Sequence, residues 1–194
     1  MFVAVVPPEE ALEDLAEFLG PRQEAESGFR WTVPDQWHLT LAFMAEVAER
    51  HLDDLQSRLA RAAARRTPFE VSLAGGGAFP NPARAKVLFA AVEAAASDGQ
   101  VELGRLATGA RAAATKAGAD AEGGRFHPHV TLARLGRPVE VTRWLRVLDT
   151  YRGPSWRVED IALVASHLGE GPRRRPRYEV VETFALGRPT ATAE

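Results

Sequence analysis

The 194-residue chain contains no cysteine. That excludes disulfides, iron–sulfur clusters, cysteine-ligated zinc and a thiol nucleophile, and it fits the reducing cytoplasm, where we expect the protein to reside. Long apolar runs are also missing, so no segment is expected to span a membrane. The apolar start Phe2-Val3-Ala4-Val5-Val6 lacks a basic leader and stops at Pro7, before Glu9 and Glu10. It reads as a buried first strand rather than a secretory signal. Neither sign of charge is in excess: 24 Lys and Arg stand against 26 Asp and Glu, for a formal net charge of -2. A uniformly basic nucleic-acid coat is thereby excluded, although a compact basic cleft fits inside such an average. Gly75-Gly76-Gly77 is not followed by the Lys-Ser/Thr of a nucleotide P-loop and reads as a turn. What remains is an ordinary globular composition, 45% hydrophobic and 26% charged, long enough for one large domain or two intimately packed lobes.

Periodicity organises the chain. Phe2 to Val6 is a strand, and Pro8 to Leu19 carries Leu12, Leu15, Phe18 and Leu19 at helical spacing until Gly20-Pro21 ends it. Gln36 to Phe43 is a strand and Glu46 to Ala64 a helix. Phe69 to Leu73 and Val87 to Val92 are strands flanking a Gly- and Pro-rich loop. Gln100 to Ala117 is a helix, Ala119 to Gly124 a connector, Phe126 to Leu135 a strand and Val139 to Leu148 a helix. Val158 to Ser166 and Tyr178 to Leu186 form a last strand pair. The order of elements comes close to an internal duplication and predicts an α+β fold of two pseudo-symmetric lobes around a central cleft, each an antiparallel sheet with outer helices. Residues 1–187 are expected to form one bilobal domain and 188–194 a flexible tail.

One pattern occurs twice, His38-Leu39-Thr40-Leu41 and His129-Val130-Thr131-Leu132. In a strand, residues i and i+2 share a face. Each copy therefore offers an imidazole and a hydroxyl to the cleft, with Leu39, Leu41, Val130 and Leu132 turned into the core. Imidazole titrates near pH ~6.5, so a pair can be divided into one neutral and one protonated ring. One ring takes a proton from water while the other gives a proton to a leaving oxygen, and threonine hydroxyls donate to anionic oxygens. A phosphodiester suits this chemistry, which needs neither metal nor cofactor. His127 and His129 form an i, i+2 pair that lacks a third ligand, so no metal site is expected.

These stretches, with Gly77-Ala78-Phe79-Pro80-Asn81-Pro82, Phe126-His127-Pro128 and Ser166-His167-Leu168-Gly169, resemble the 2H phosphoesterase superfamily. The branch they resemble is the RNA 2′,3′-cyclic phosphodiesterase, or 2′–5′ RNA ligase (LigT-like), family. The resemblance implies hydrolysis of RNA terminal 2′,3′-cyclic phosphate to a 2′-phosphate, with reversible 2′–5′ ligation as a second reaction. It implies His38 and His129 as the catalytic pair and Thr40 and Thr131 as phosphate ligands. Arg134 holds the place of a phosphate-contacting arginine. Phe43 stands at the matching position of the first motif, where it would stack on a base. Strict alternation, however, puts both Phe43 and Arg134 on the face opposite the histidines, unless the strand ends or bulges there. Other readings keep the fold but act on 2′–5′ oligonucleotides or small cyclic nucleotides, or bind RNA without turnover. The expected partner is RNA with a cyclic phosphate end, with no membrane and no obligate protein partner. The basic run Arg173-Arg174-Arg175 with Arg177 is a solvated loop or an RNA backbone contact.

Overall fold

The computed structural model describes residues 1–26, 28–121, 123–171 and 175–187. The expected tail at 188–194 and two arginines of the basic run, Arg173 and Arg174, lie outside these. Nine strands and four helices form among the described residues. The strands are β1 (Phe2–Val5), β2 (Arg30–Trp31), β3 (Leu39–Phe43), β4 (Phe69–Phe79), β5 (Ala85–Ala94), β6 (His129–Val139), β7 (Arg152–Val158), β8 (Asp160–His167) and β9 (Arg177–Ala185). The helices are α1 (Glu9–Glu24), α2 (Leu52–Ala63), α3 (Ser97–Lys116) and α4 (Thr142–Leu148).

The strand order is β7-β4-β5-β6-β3-β1-β8-β9, with β2 added alongside β6. Every registered pairing is antiparallel. Four strands of this path lie on each side of a seam between β6 and β3, where Leu39 pairs with Val130, and β2 continues along the same edge of β6 through Arg30↔Arg134 and Trp31↔Ala133. The two lobes are therefore joined through the middles of the two motifs. The helices cover one face of this curled sheet. Helices α1 and α4 pack on β4, with α1 also on β7, while α2 and α3 pack on each other and reach β9 and β3. Leu15, Leu19, Leu55, Leu59, Leu103, Leu106 and Leu148 from the helices are fully buried against Leu39, Leu41, Leu88, Val130 and Leu132 from the strands. Each fully buried Leu contributes about 1.5–3 kcal/mol of apolar transfer.

Three local expectations are corrected. Helix α1 runs through Pro21 to Glu24 instead of stopping at Gly20-Pro21. Its buried stripe of Ala11, Leu15 and Leu19 holds the segment, and tertiary packing outweighs the local cost of a proline. Gly75-Gly76-Gly77 is strand, not loop: β4 continues to Phe79. A Cβ on Gly76 would meet the Phe89 carbonyl at 2.6 Å and Leu148 Cδ1 at 2.5 Å, and one on Gly77 would strike the Phe89 ring. The bare backbone is what lets β5 and α4 close on β4. Strand β7 falls where no element was expected, between Leu148 and Val158, and it contains Gly153-Pro154, a pair that favours turns. It is an edge strand, where a residue without an amide hydrogen is tolerated. Smaller shifts at element ends follow: α4 begins at Thr142, because β6 extends through Val139.

Candidate active site

The seam register places the motifs against each other. Continuing Leu39↔Val130 by one residue each way sets His38 opposite Thr131 and Thr40 opposite His129. Each imidazole thus faces the hydroxyl of the other lobe. All four side chains are partly exposed, whereas Leu39, Leu41, Val130 and Leu132 between them are buried, as the period of two requires.

Beyond the threonines the alternation breaks, and it breaks identically in both lobes. In β3, Val3 pairs with Ala42 and Ala4 with Thr40, which leaves Leu41 without a partner. In β6, Leu88 pairs with Ala133 and Phe89 with Thr131, which leaves Leu132 without one. Each is a β-bulge, one extra residue that reverses the facing of everything after it. Leu41 and Ala42 are consequently both buried, as are Leu132 and Ala133. Phe43 and Arg134 turn out to the cleft side, both exposed. The face expected from strict alternation is corrected for both Phe43 and Arg134, which join the histidines by the same device.

Other side chains tie the bulges in place. Arg111 Nε donates to the Leu41 carbonyl at 3.3 Å and its Nη1 to the Gly124 carbonyl at 2.7 Å. Thr32 Oγ1 lies 2.7 Å from the Thr131 carbonyl and 2.9 Å from that of Leu132, while the Thr32 amide donates to Leu132. Thr32 Oγ1 in turn accepts from Trp37 Nε1 at 2.8 Å, next to His38. Thr32→Val is expected to cost about 1–3 kcal/mol in denaturant unfolding, because the Trp37 indole loses its acceptor. It should also raise KM through a loosened Arg134. Unchanged stability and KM would show that the bulge holds itself.

The two rings are held alike. His38 Nδ1 donates to the Gln36 carbonyl and His129 Nδ1 to the His127 carbonyl, each at 2.7 Å and each two residues back. With Nδ1 so engaged, Nε2 is the atom left to exchange a proton. Their flanks differ. His38 stacks on Phe2 with ring centroids 4.3 Å apart and meets Tyr178 edge-on at 5.4 Å. His129 lies 5.1 Å from both Phe79 and Phe89. Burial pushes the His38 pKa down to about 4, with smaller contributions from the charges of His129 and Arg134. Burial likewise lowers that of His129, with His127 and Arg134 adding to the effect. Arg134 thus acts on both rings, and it is paired across from Arg30 on β2. Two guanidinium groups on facing positions repel unless an anion sits between them. A cavity of about 200 Å³ opens on the His129 side of the site, lined among others by Thr40, Phe43, Phe79, Arg111, Arg125 and His129.

Sequence reasoning missed Thr32, Arg111 and Arg125 because nothing local marks them. Tyr178 and Phe79 lay in stretches already singled out, but without a role. The remaining histidines sit elsewhere: His167 pairs with Glu179 at 3.2 Å, and His51 packs near Gly118. Arg177 of the basic run is bound to Glu170 and Glu179, each at 3.0 Å. Among the described residues no group of three or more His, Asp or Glu side chains is placed to hold a metal ion. No helix among them is long and apolar enough to cross a membrane.

Two antiparallel lobes meeting at a pair of His-x-Thr strands define a 2H phosphoesterase. The model of the LigT-like phosphoesterase family matches residues 5–89 and 94–173, and the chain belongs to that family. An RNA 2′,3′-cyclic phosphodiesterase of Thermus thermophilus is 36% identical over 193 residues, covering 96% of this chain and 89% of that protein. One from Aeropyrum pernix is 36% identical over 155 residues, covering 77% and 84%. Escherichia coli LigT solved with 3′-AMP superposes with a TM-score of 0.74 at 26% identity, covering 96% of this chain and 97% of that one. A protein of solved structure from Thermus thermophilus gives 0.73 at 33% identity, covering 95% and 96%.

Proposed function

We propose that this protein hydrolyses the 2′,3′-cyclic phosphate at RNA ends to a 2′-phosphate, with the two histidines as general acid and base and no metal. The observation that carries the reading is the cross-strand arrangement, with each imidazole opposite the other lobe's hydroxyl and Arg134 turned toward both. The named activity of the Thermus and Aeropyrum relatives supports the substrate. In the step, the oxygen of water bonds to phosphorus and the P–O3′ bond breaks. Nε2 of one histidine takes the water proton, and Nε2–H of the other protonates O3′, leaving a 3′-hydroxyl and a 2′-phosphate. Thr40, Thr131 and the Arg134–Arg30 pair bind the non-bridging oxygens, which gain charge at the transition state. Phe43, exposed at the rim, stacks on the terminal base.

The test is turnover of an oligonucleotide ending in 2′,3′-cyclic phosphate in the presence of chelator, with the product identified as a 2′-phosphate. No conversion, or conversion only after metal is restored, would overturn the reading. A nucleoside cyclic phosphate and a 2′–5′ oligonucleotide assayed in parallel separate the alternative substrates.

The pH dependence has a definite sign. Both rings titrate below 6.5 in the free protein, His38 at about 4. The bell-shaped profile of kcat/KM should therefore peak on the acid side of pH 6.5. A bound phosphate favours imidazolium, so the profile of kcat should lie at higher pH. A kcat/KM maximum on the alkaline side of neutrality would contradict this assignment of the titrating pair.

A further inference from the structure

A second concavity, larger than the first, lies between α2 and α3 with a volume of about 840 Å³. Its lining includes six cations, Arg58, Arg61, Arg65, Arg66, Arg105 and Lys116, and no acidic side chain. Asp54 pairs with Arg58, and Glu102 with Arg66 and Arg105, from outside it. Arg61, Arg65 and Lys116 have no ion-pair partner among the described residues, and all three are exposed. In a chain of net charge -2, this is a local concentration of positive charge.

The helices explain its shape. Arg58, Arg61 and Arg65 recur at three- and four-residue spacing along α2 and the turn after it, so they form one wall. On α3, Gln100, Gly104, Thr108, Ala112 and Lys116 recur every four residues and make a floor of mostly short side chains about 24 Å long. Phe126 and Pro128 also line the groove. Phe126 also lines the cavity that holds His129. Pro128 lines the groove, His127 and His129 line the site's cavity, and Phe126 lines both, so the two concavities meet at Phe126. The Arg111 guanidinium lies over its ring at 5.7 Å.

We propose that this groove binds the RNA chain upstream of its cyclic phosphate end, as single-stranded phosphodiester backbone. The proposal rests on the reading that the protein acts on RNA ends. Short floor residues admit a backbone, the unpaired Arg61 and Arg65 on the wall and Lys116 on the floor neutralise successive phosphates, and the Phe126 ring at the junction offers a stacking platform. Such a site sets a preference for long RNA over mononucleotides without touching the chemistry.

The test compares the wild type with Arg61→Gln/Arg65→Gln/Lys116→Gln on two substrates, a ~12-nucleotide RNA and a single nucleoside, each ending in 2′,3′-cyclic phosphate. For the oligonucleotide, KM should rise about tenfold with kcat little changed, and the log–log slope of KM on salt should fall by about 2, the amount three single-strand phosphate contacts imply. For the nucleoside, neither constant should move. Equal changes on both substrates, or none on either, would overturn the proposal. Binding of the same oligonucleotide with a plain 3′-hydroxyl end is measured alongside and does not depend on turnover. The variant should bind it about tenfold more weakly. Equal affinity, or displacement of the RNA by polyglutamate as readily as by RNA, overturns the groove assignment. If the wild type turns over neither substrate, the proposed activity fails and this binding measurement alone decides the groove.

Discussion

His129→Ala should lower kcat/KM on a cyclic-phosphate RNA by about 10³-fold, and His38→Ala by a similar factor. The double variant should be little worse than either single one. In the proposed mechanism the two rings serve a single proton inventory: one accepts as the other donates, so removing either disables the same transition state, and losses of this kind do not multiply. The geometry adds a condition. Both Nδ1 atoms are engaged by main-chain carbonyls, those of Gln36 and His127, which side-chain substitution cannot remove. Replacement by Asn or Gln therefore keeps a polar group in place but supplies no titrating Nε2, and it should rescue nothing. Affinity for a 2′-phosphate product should survive within a few-fold, since Thr40, Thr131 and Arg134 remain. Circular dichroism of each variant checks the fold, and single-turnover rates check the chemistry. Activity within tenfold of wild type in either single variant would sink the two-histidine mechanism.

The second large effect concerns stability. Burial against Phe2 and Tyr178 holds the His38 pKa near 4, against 6.5 for the exposed ring. Between these values the unfolded chain binds a proton that the native protein does not, so stability rises with pH across the window. The contribution is fully present above pH 6.5, declines as pH falls toward 4 and is constant below. Its size is on the order of 3 kcal/mol. His129 adds in the same direction, its pKa also being lowered. The lowered carboxylate of Glu102 titrates below its ordinary value of 4.5 and so contributes little in this window. Urea unfolding of the wild type at several pH values from 7 to 4, set against His38→Phe, isolates the effect. The variant keeps an apolar ring beside Phe2 and does not titrate, so its loss of stability across the window should be smaller by about that amount. Parallel losses in both proteins would mean that His38 is as easily protonated folded as unfolded.

Taken with the catalytic reading, these two expectations describe one site under opposing demands. Aromatic packing keeps the rings neutral, while catalysis requires one of them charged. In that reading the substrate phosphate supplies the missing negative charge, and Arg134 works against it from the same side. Replacing Arg134 should accordingly weaken substrate binding and let both rings titrate higher.

Much of the site was legible because its information is local. A period of two over four residues assigns His38 with Thr40 and His129 with Thr131 to one face, and the buried leucines between them to the other. Helices α2 and α3 were legible for the same reason, their apolar positions recurring at helical spacing. Strand β7 was not, since Gly153-Pro154 is intrinsically a turn and becomes strand only at the edge of β4. Nor were the glycines of β4, whose meaning is the closeness of Phe89 and Leu148, residues supplied by other elements. The groove was hidden twice over. Its cations come from α2, the turn after it and α3, separated along the chain, and the acidic residues elsewhere cancel them in the total charge.

The sequence by itself determined the pairing of each imidazole with a hydroxyl, because side-chain facing within a short strand follows from backbone geometry alone. Only the tertiary structure decided that Phe43 and Arg134 join them. Their facing depends on Leu41 and Leu132 going unpaired against β1 and β5, and a bulge is a property of two strands in register, not of either one.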